Sequence, residues 1–147
     1  MTTVDPAADP AADPVALVED YLACVGAGRR ADASRYLAPD AELVFPGGRR
    51  YRGLDELAAG STGRYRFVDK HRDTYESLST PDGAVVYSLG RLFGENTYGV
   101  HFTNVRYVDR FRLRDGLIVE QWVWNDLAET GVLDAATPAE LVAEFRP

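Results

Sequence analysis

Residues 103–127, TNVRYVDRFRLRDGLIVEQWVWNDL, restrict the fold more than any other stretch. Two alternating runs flank Arg114-Asp115-Gly116, and Asp-Gly between such runs favours a tight β-hairpin turn. The two-residue period of a strand puts Val105, Tyr107, Asp109, Phe111 and Leu113 on one face. Arg106, Val108, Arg110, Arg112 and Arg114 take the other. The first face is apolar and belongs in a core, with Asp109 at its centre. A lone carboxylate there is costly unless it is hydrogen-bonded, paired or protonated. Asp109 is therefore either a functional acid or a structural carboxyl bonded to backbone or to an arginine. In the second run Ile118, Glu120, Trp122, Trp124 and Asp126 alternate with Leu117, Val119, Gln121, Val123, Asn125 and Leu127. Both faces are largely apolar, as in a central strand covered on two sides.

A chain of 147 residues suits one domain with a substantial core. The net charge of −7 argues against a nucleic-acid partner, whose phosphates demand a basic surface. The arginine ladder outside the hairpin reads as a solvated face or a dimer contact pairing with acids such as Glu120. No apolar run is long enough to cross a membrane, no secretory pattern is present, and the single Cys24 excludes an intramolecular disulfide. A cytoplasmic location is expected. Lys70 is the only lysine, which reads as codon bias. His71 and His101 lack metal-type spacing, and no phosphate loop, nucleophile elbow or dinucleotide fingerprint occurs, so neither metal nor cofactor is expected.

Residues 1–14, MTTVDPAADPAADP, have no apolar periodicity and read as a disordered leader before one domain over 15–147. Leu17, Val18, Tyr21, Leu22 and Val25 share a helical face, Asp13 and Pro14 suit its start, and Gly26 and Gly28 end it. A short helix over 31–37 stops at Pro39. Strands over 41–45 and 49–52 precede a helix over 54–59. Residues 61–70 read as a loop anchored by Tyr65 and Phe67. Strands over 71–79 and 84–93 then lead through a polar loop, 94–99, into the central hairpin. Segregated helices and antiparallel strands make an α+β domain.

Residues 18–46, VEDYLACVGAGRRADASRYLAPDAELVFP, and residues 108–126, VDRFRLRDGLIVEQWVWND, resemble the nuclear transport factor 2-like superfamily. That superfamily includes ketosteroid isomerase, scytalone dehydratase, limonene epoxide hydrolase and the SnoaL-like polyketide cyclases. The resemblance implies a cone: a strongly curved, mixed or antiparallel sheet wrapped around the long first helix, with two further helices, a cystatin-like α+β barrel. Tyr21 falls where the isomerase has the tyrosine of its oxyanion hole, and Asp109 on its second oxyanion residue, an aspartic acid kept neutral by apolar surroundings. The position of the isomerase's general base is Phe45, so that reaction is not assigned. The SnoaL-like cyclases share E-x-W-x-x-x-D, met by Glu120, Trp122 and Asp126, whose final aspartate is their acid/base. The isomerase comparison points Gln121, Val123 and Asn125 inward, and the cyclase comparison points Asp126 inward. A bulge near the strand end would reconcile them. Asp126 is the reading adopted, with Asn125 as the alternative.

The resemblance thus implies a cofactor-independent lyase, isomerase or cyclase acting on a hydrophobic, polyketide-like carbonyl compound. Asp109, Tyr21, Asp126 and His101 are its candidate catalytic residues. Trp122, Trp124, Tyr107, Phe45, Tyr65 and Phe93, with Asn125, are candidates for the substrate wall, although aromatics in a small domain are usually core. A non-catalytic binding or dimeric scaffold module of the same fold is the alternative, and an epoxide-opening enzyme a second one. A homodimer through the outer sheet face follows from the family likeness alone.

Overall fold

The computed structural model describes residues 13–141, so most of the expected leader and the last six residues lie outside the described part. Helix α1 spans Pro14–Gly26. The Asp13 carboxylate accepts from the backbone N–H groups of Val15 and Ala16 at 3.1 and 3.2 Å, while Pro14 occupies the first turn, where no N–H is needed. Its inner face buries Leu17, Val18, Tyr21, Leu22 and Cys24. Val25 is instead 41% exposed at the helix end.

Helix α2, Arg30–Ser34, is shorter than expected because the chain is already extended from Leu37. Strand β1 covers Leu37–Phe45 and includes Pro39, which the sequence suggested would precede any strand. Its ladder to the last strand is interrupted between Leu37 and Glu42, so the missing proline N–H falls where no ladder bond is required. Strand β2, Arg49–Tyr51, and helix α3, Leu54–Ser61, follow. Strand β3 covers Tyr65–Thr80, β4 Gly83–Asn96, β5 His101–Arg114 and β6 Leu117–Asn125; α4 is a single turn, Leu127–Thr130. Residues 65–70, expected as loop, are the start of β3. As an edge strand it has no clean apolar alternation, and its extended form comes from pairing with β4.

One mixed sheet runs β2-β1-β6-β5-β4-β3, with β1 parallel to β6 and every other pair antiparallel. This is the curved α+β cone the resemblance implied. The β5–β6 hairpin turns at Asp115 and Gly116, both at positive φ, the geometry that Asp-Gly favours. Two devices bend the sheet. The ladders skip a residue at Asp73 in β3, and Gly90 of β4 packs where any Cβ would collide with the His71 carbonyl oxygen and press on the Tyr107 ring. Val105, Tyr107, Asp109, Phe111 and Leu113 all point inward, as their alternation predicts.

The open end is partly closed by residues 127–135, held by Asn96. Its amide donates to the carbonyls of Val132 and Ala135 at 2.6 and 2.7 Å. Its oxygen accepts from the N–H groups of Tyr98 and Val100, both at 2.9 Å. All its capacity is used in a site without water access. Asn96→Ala removes the partner of four backbone groups, three of them on buried residues, so it is expected to destabilise the protein by roughly 2–4 kcal/mol in urea unfolding. It should also raise amide exchange selectively across 127–135. Uniform exchange in the variant would show that this segment is held by its apolar contacts alone.

Candidate functional site

Inside the cone, between α1, α3 and the inner sheet face, is a cavity of about 250 Å³. Leu22, Phe45, Leu54, Leu92, Val123 and Leu127 make much of its wall. Tyr21, Asp69, Lys70, Tyr107, Gln121 and Asn125 bring polar atoms to it. Apolar lining with a few convergent polar groups is the usual composition of a small-molecule site.

Strand register explains the centre of this site. Lys70 on β3 pairs with Leu92 on β4 and so faces inward, and Gly90, two residues along β4, pairs with Tyr107 on β5. With no side chain at 90, the Tyr107 ring lies open and the Lys70 ammonium sits 4.6 Å above its centroid. The same ammonium bonds and ion-pairs with Oδ2 of Asp109, the next inward residue of β5. Asp109 is completely buried, and its Oδ1 has no partner among the described residues. Burial pushes this carboxyl up and Lys70 pulls it back, leaving it above the ordinary carboxylate value.

The two tyrosines beside this pair keep their protons. The Tyr21 hydroxyl donates to Oε1 of Gln121 at 2.7 Å, and burial followed by the nearby Asp109 charge pushes it well above the usual phenol value. The Tyr107 hydroxyl, 3.0 Å from the Ser88 hydroxyl, is pushed up to about 12, mainly by burial. Tyr21 and Asp109 are thus electrostatic neighbours, but Tyr21 donates to Gln121 and Asp109 accepts from Lys70. The paired donors implied by the isomerase resemblance are not formed in this arrangement.

The cavity brings together Tyr21, Tyr107, Phe45, Tyr65 and Asn125 from the expected set, with Asp109 behind Lys70. Five others lie elsewhere. Tyr107 pairs with Asn125, so Asn125 faces inward and Asp126 does not; its carboxylate accepts from Arg106 Nε at 2.6 Å. His101 is 77% exposed, 3.4 Å from Glu95. Phe93 stacks on His71 away from the cavity. Trp122 and Trp124 lie on the outer face, where Arg110 covers the Trp122 ring at 4.9 Å and salt-bridges Glu120 at 3.0 Å.

A bulge reverses the phase of β6. Arg112 opposes Glu120 and Leu113 opposes Ile118, leaving Val119 extra. Ile118 therefore shares the inward face with Gln121, Val123 and Asn125, and simple alternation through Ile118, Trp122 and Trp124 fails. This bulge lies near the start of the strand, not at its end. Sequence reasoning missed Lys70 and Asp69, the one carboxylate among the described residues that line the cavity. The usable signal was compositional: the chain's sole lysine is the cation that meets the buried acid.

A SnoaL-like domain model matches residues 18–121, and the chain belongs to that family of the nuclear transport factor 2-like fold. Among solved structures it is similar to TerC co-crystallised with polyporic acid, at 17% identity over 82% of this chain and 98% of that one, with a TM-score of 0.69. A nuclear transport factor 2-like protein of unknown function from Burkholderia pseudomallei gives 19% identity, 82% and 97% coverage and a TM-score of 0.68. A candidate polyketide cyclase from Xanthomonas campestris gives 20%, 78% and 91%, and 0.62. No curated protein matches the chain in sequence. No described helix is long and apolar enough to cross a membrane.

The raised Asp109 carboxyl gives a pH test. A folded value above the unfolded one contributes stability that is complete below the ordinary carboxylate range and lost as pH climbs through the raised value. Lys70→Met lifts that value further and leaves a buried charge without its counter-ion. The variant should lose roughly 3–5 kcal/mol at neutral pH and much less in acid, where the carboxyl is protonated. Adding Asp109→Asn should restore most of the loss and remove its pH dependence. Urea unfolding at both pH values measures this, and a neutral-pH loss that the second substitution leaves intact would contradict it.

Proposed function

We propose that this SnoaL-like protein is a cofactor-independent lyase, isomerase or cyclase acting on a hydrophobic, polyketide-like carbonyl compound. The observation that carries the reading is the Lys70 ammonium in the wall of an apolar cavity, paired with the buried Asp109 behind it. TerC, similar in fold, was co-crystallised with polyporic acid, which supports a small organic ligand for this cavity too.

In the proposed reaction Asp69 removes a proton from the carbon beside a substrate carbonyl. The C–H electrons become the C=C bond of an enolate, and the C=O π electrons move to oxygen. The Lys70 ammonium, held by Asp109, donates a hydrogen bond to that developing charge, where a preorganised cation in a water-poor site is most effective. Return of the proton at another carbon completes an isomerisation. Attack of the enolate carbon on a second carbonyl, with proton return to its oxygen, completes a cyclisation. Tyr21 holds Gln121 by its Oε1, which leaves the Gln121 amide N–H groups as further donors. A lysine suits this place better than an arginine, because its compact ammonium acts as a point donor.

A second reading has its own support. Asp109 and Tyr21 are both engaged by internal partners, as expected of a ligand-holding module without chemistry. In either case the outer face, where Trp124 is half-exposed, is the surface proposed to pair two copies.

The readings separate on 2-tetralone, an apolar bicyclic ketone, by following α-proton exchange in D₂O by NMR. The enzyme reading expects saturable acceleration over buffer, reduced about 100-fold or more in Asp69→Asn and also reduced in Asp109→Asn. Saturable binding without acceleration favours the binding module. Undiminished exchange in both variants removes the mechanism.

A further inference from the structure

We propose that the natural ligand carries a carboxylate, and that Arg49 and Arg64 receive it at the cavity mouth. This rests on reading the cavity as the ligand site, and not on the chemistry assigned to it.

The first observation is a reversal of charge. The chain has a net charge of −7, yet Arg49, Arg64, Lys70 and Arg72 line the cavity against Asp69 alone. Lys70 is neutralised by Asp109, which leaves an excess of arginine around an apolar space. The second observation is the absence of partners. Arg50, Arg66, Arg91, Arg106, Arg110 and Arg112 each hold a carboxylate of the protein. Arg49 and Arg64 make no ion pair among the described residues, in a chain where acids outnumber bases 23 to 16. Of the arginines without an ion pair among the described residues, Arg52 and Arg114 lie off the cavity wall and Arg72 sits beside Tyr75 and Tyr107; Arg49 and Arg64 are left on the wall, placed to pair with something that enters it.

Their position fixes the ligand's orientation. Arg49 is exposed and Arg64 half-buried, so both stand at the mouth, whereas Leu92, Val123 and Tyr107 are buried deeper in the wall. An apolar ring system would enter first and leave its charged group at the mouth, where these two arginines line the wall. The guanidinium fork matches a carboxylate through two parallel N–H donors, which selects a planar oxyanion over a neutral polar group. A cationic mouth would also draw an anion towards a protein whose overall field repels it.

The test compares 2-naphthoate with 2-naphthamide, which has the same ring system and an uncharged head, by calorimetric titration. The expected result is that naphthoate binds about tenfold or more tightly. The preference should shrink as ionic strength rises, because exposed guanidinium groups are screened. It should be lost in Arg49→Gln/Arg64→Gln, with naphthamide titration of the same variant as the control for the cavity and its urea midpoint as the control for folding, since Arg64 is half-buried. Equal binding of the two probes overturns the charge inference and leaves the cavity reading intact. A naphthoate preference that survives the double substitution overturns the assignment to these arginines. Failure of both probes to bind overturns the cavity reading together with this one.

Discussion

The ion pair between Lys70 and Asp109 is the constraint around which the inner sheet face is arranged. A carboxylate with no exposure is tolerated only with a counter-charge or a proton, and Lys70 supplies the first without reaching solvent fully. To bring an ammonium from the edge strand across to β5, the sheet must leave a gap, and Gly90 leaves it. To cushion the charge, an aromatic face must lie beneath it, and Tyr107 provides that. Replacing the pair with well-packed apolar residues would cost little or even stabilise the protein. Its presence is therefore better explained by what it does in the cavity than by what it adds to the fold.

The rest of the site follows from phase. One extra residue at the start of β6 decides that Gln121, Val123 and Asn125 look inward while both tryptophans look out. The family comparisons at low identity establish the cone and not its contents. Two chains can share this sheet while placing different residues in the cavity, because a single bulge reassigns a whole strand.

Much of the architecture was legible in the sequence because it depends on local rules. Asp13 and Pro14 start the first helix, Asp115-Gly116 turns the hairpin, and the alternation through Val105 to Leu113 survives intact in the structure. Of the arginine ladder, Arg110 and Arg112 pair with Glu120 within the chain. The site was less legible, for two physical reasons. Strand β6 is apolar on both faces, so its alternation gives no phase, and a bulge leaves no composition signal. Lys70 lies in an edge strand whose form comes from its neighbour, so its inward direction could not be assigned while residues 61–70 read as loop. Asp109 was identified as anomalous from the pattern alone; its partner was not.

Long sequence separations dominate the cavity's contacts. Tyr21 meets Gln121 across 100 residues, Lys70 meets Asp109 across 39, and Asn96 meets Val132 across 36. No fragment ending before β6 contains the whole wall, and contacts of this kind form late because the intervening chain must first be ordered. The cavity is accordingly a property of the finished chain, with no counterpart in a partly folded one. Under the proposed function, a ligand of this cavity would bind the native state alone and shift the folding equilibrium by RT ln(1 + [L]/Kd). Cellular abundance of the protein would then rise and fall with the supply of its own ligand.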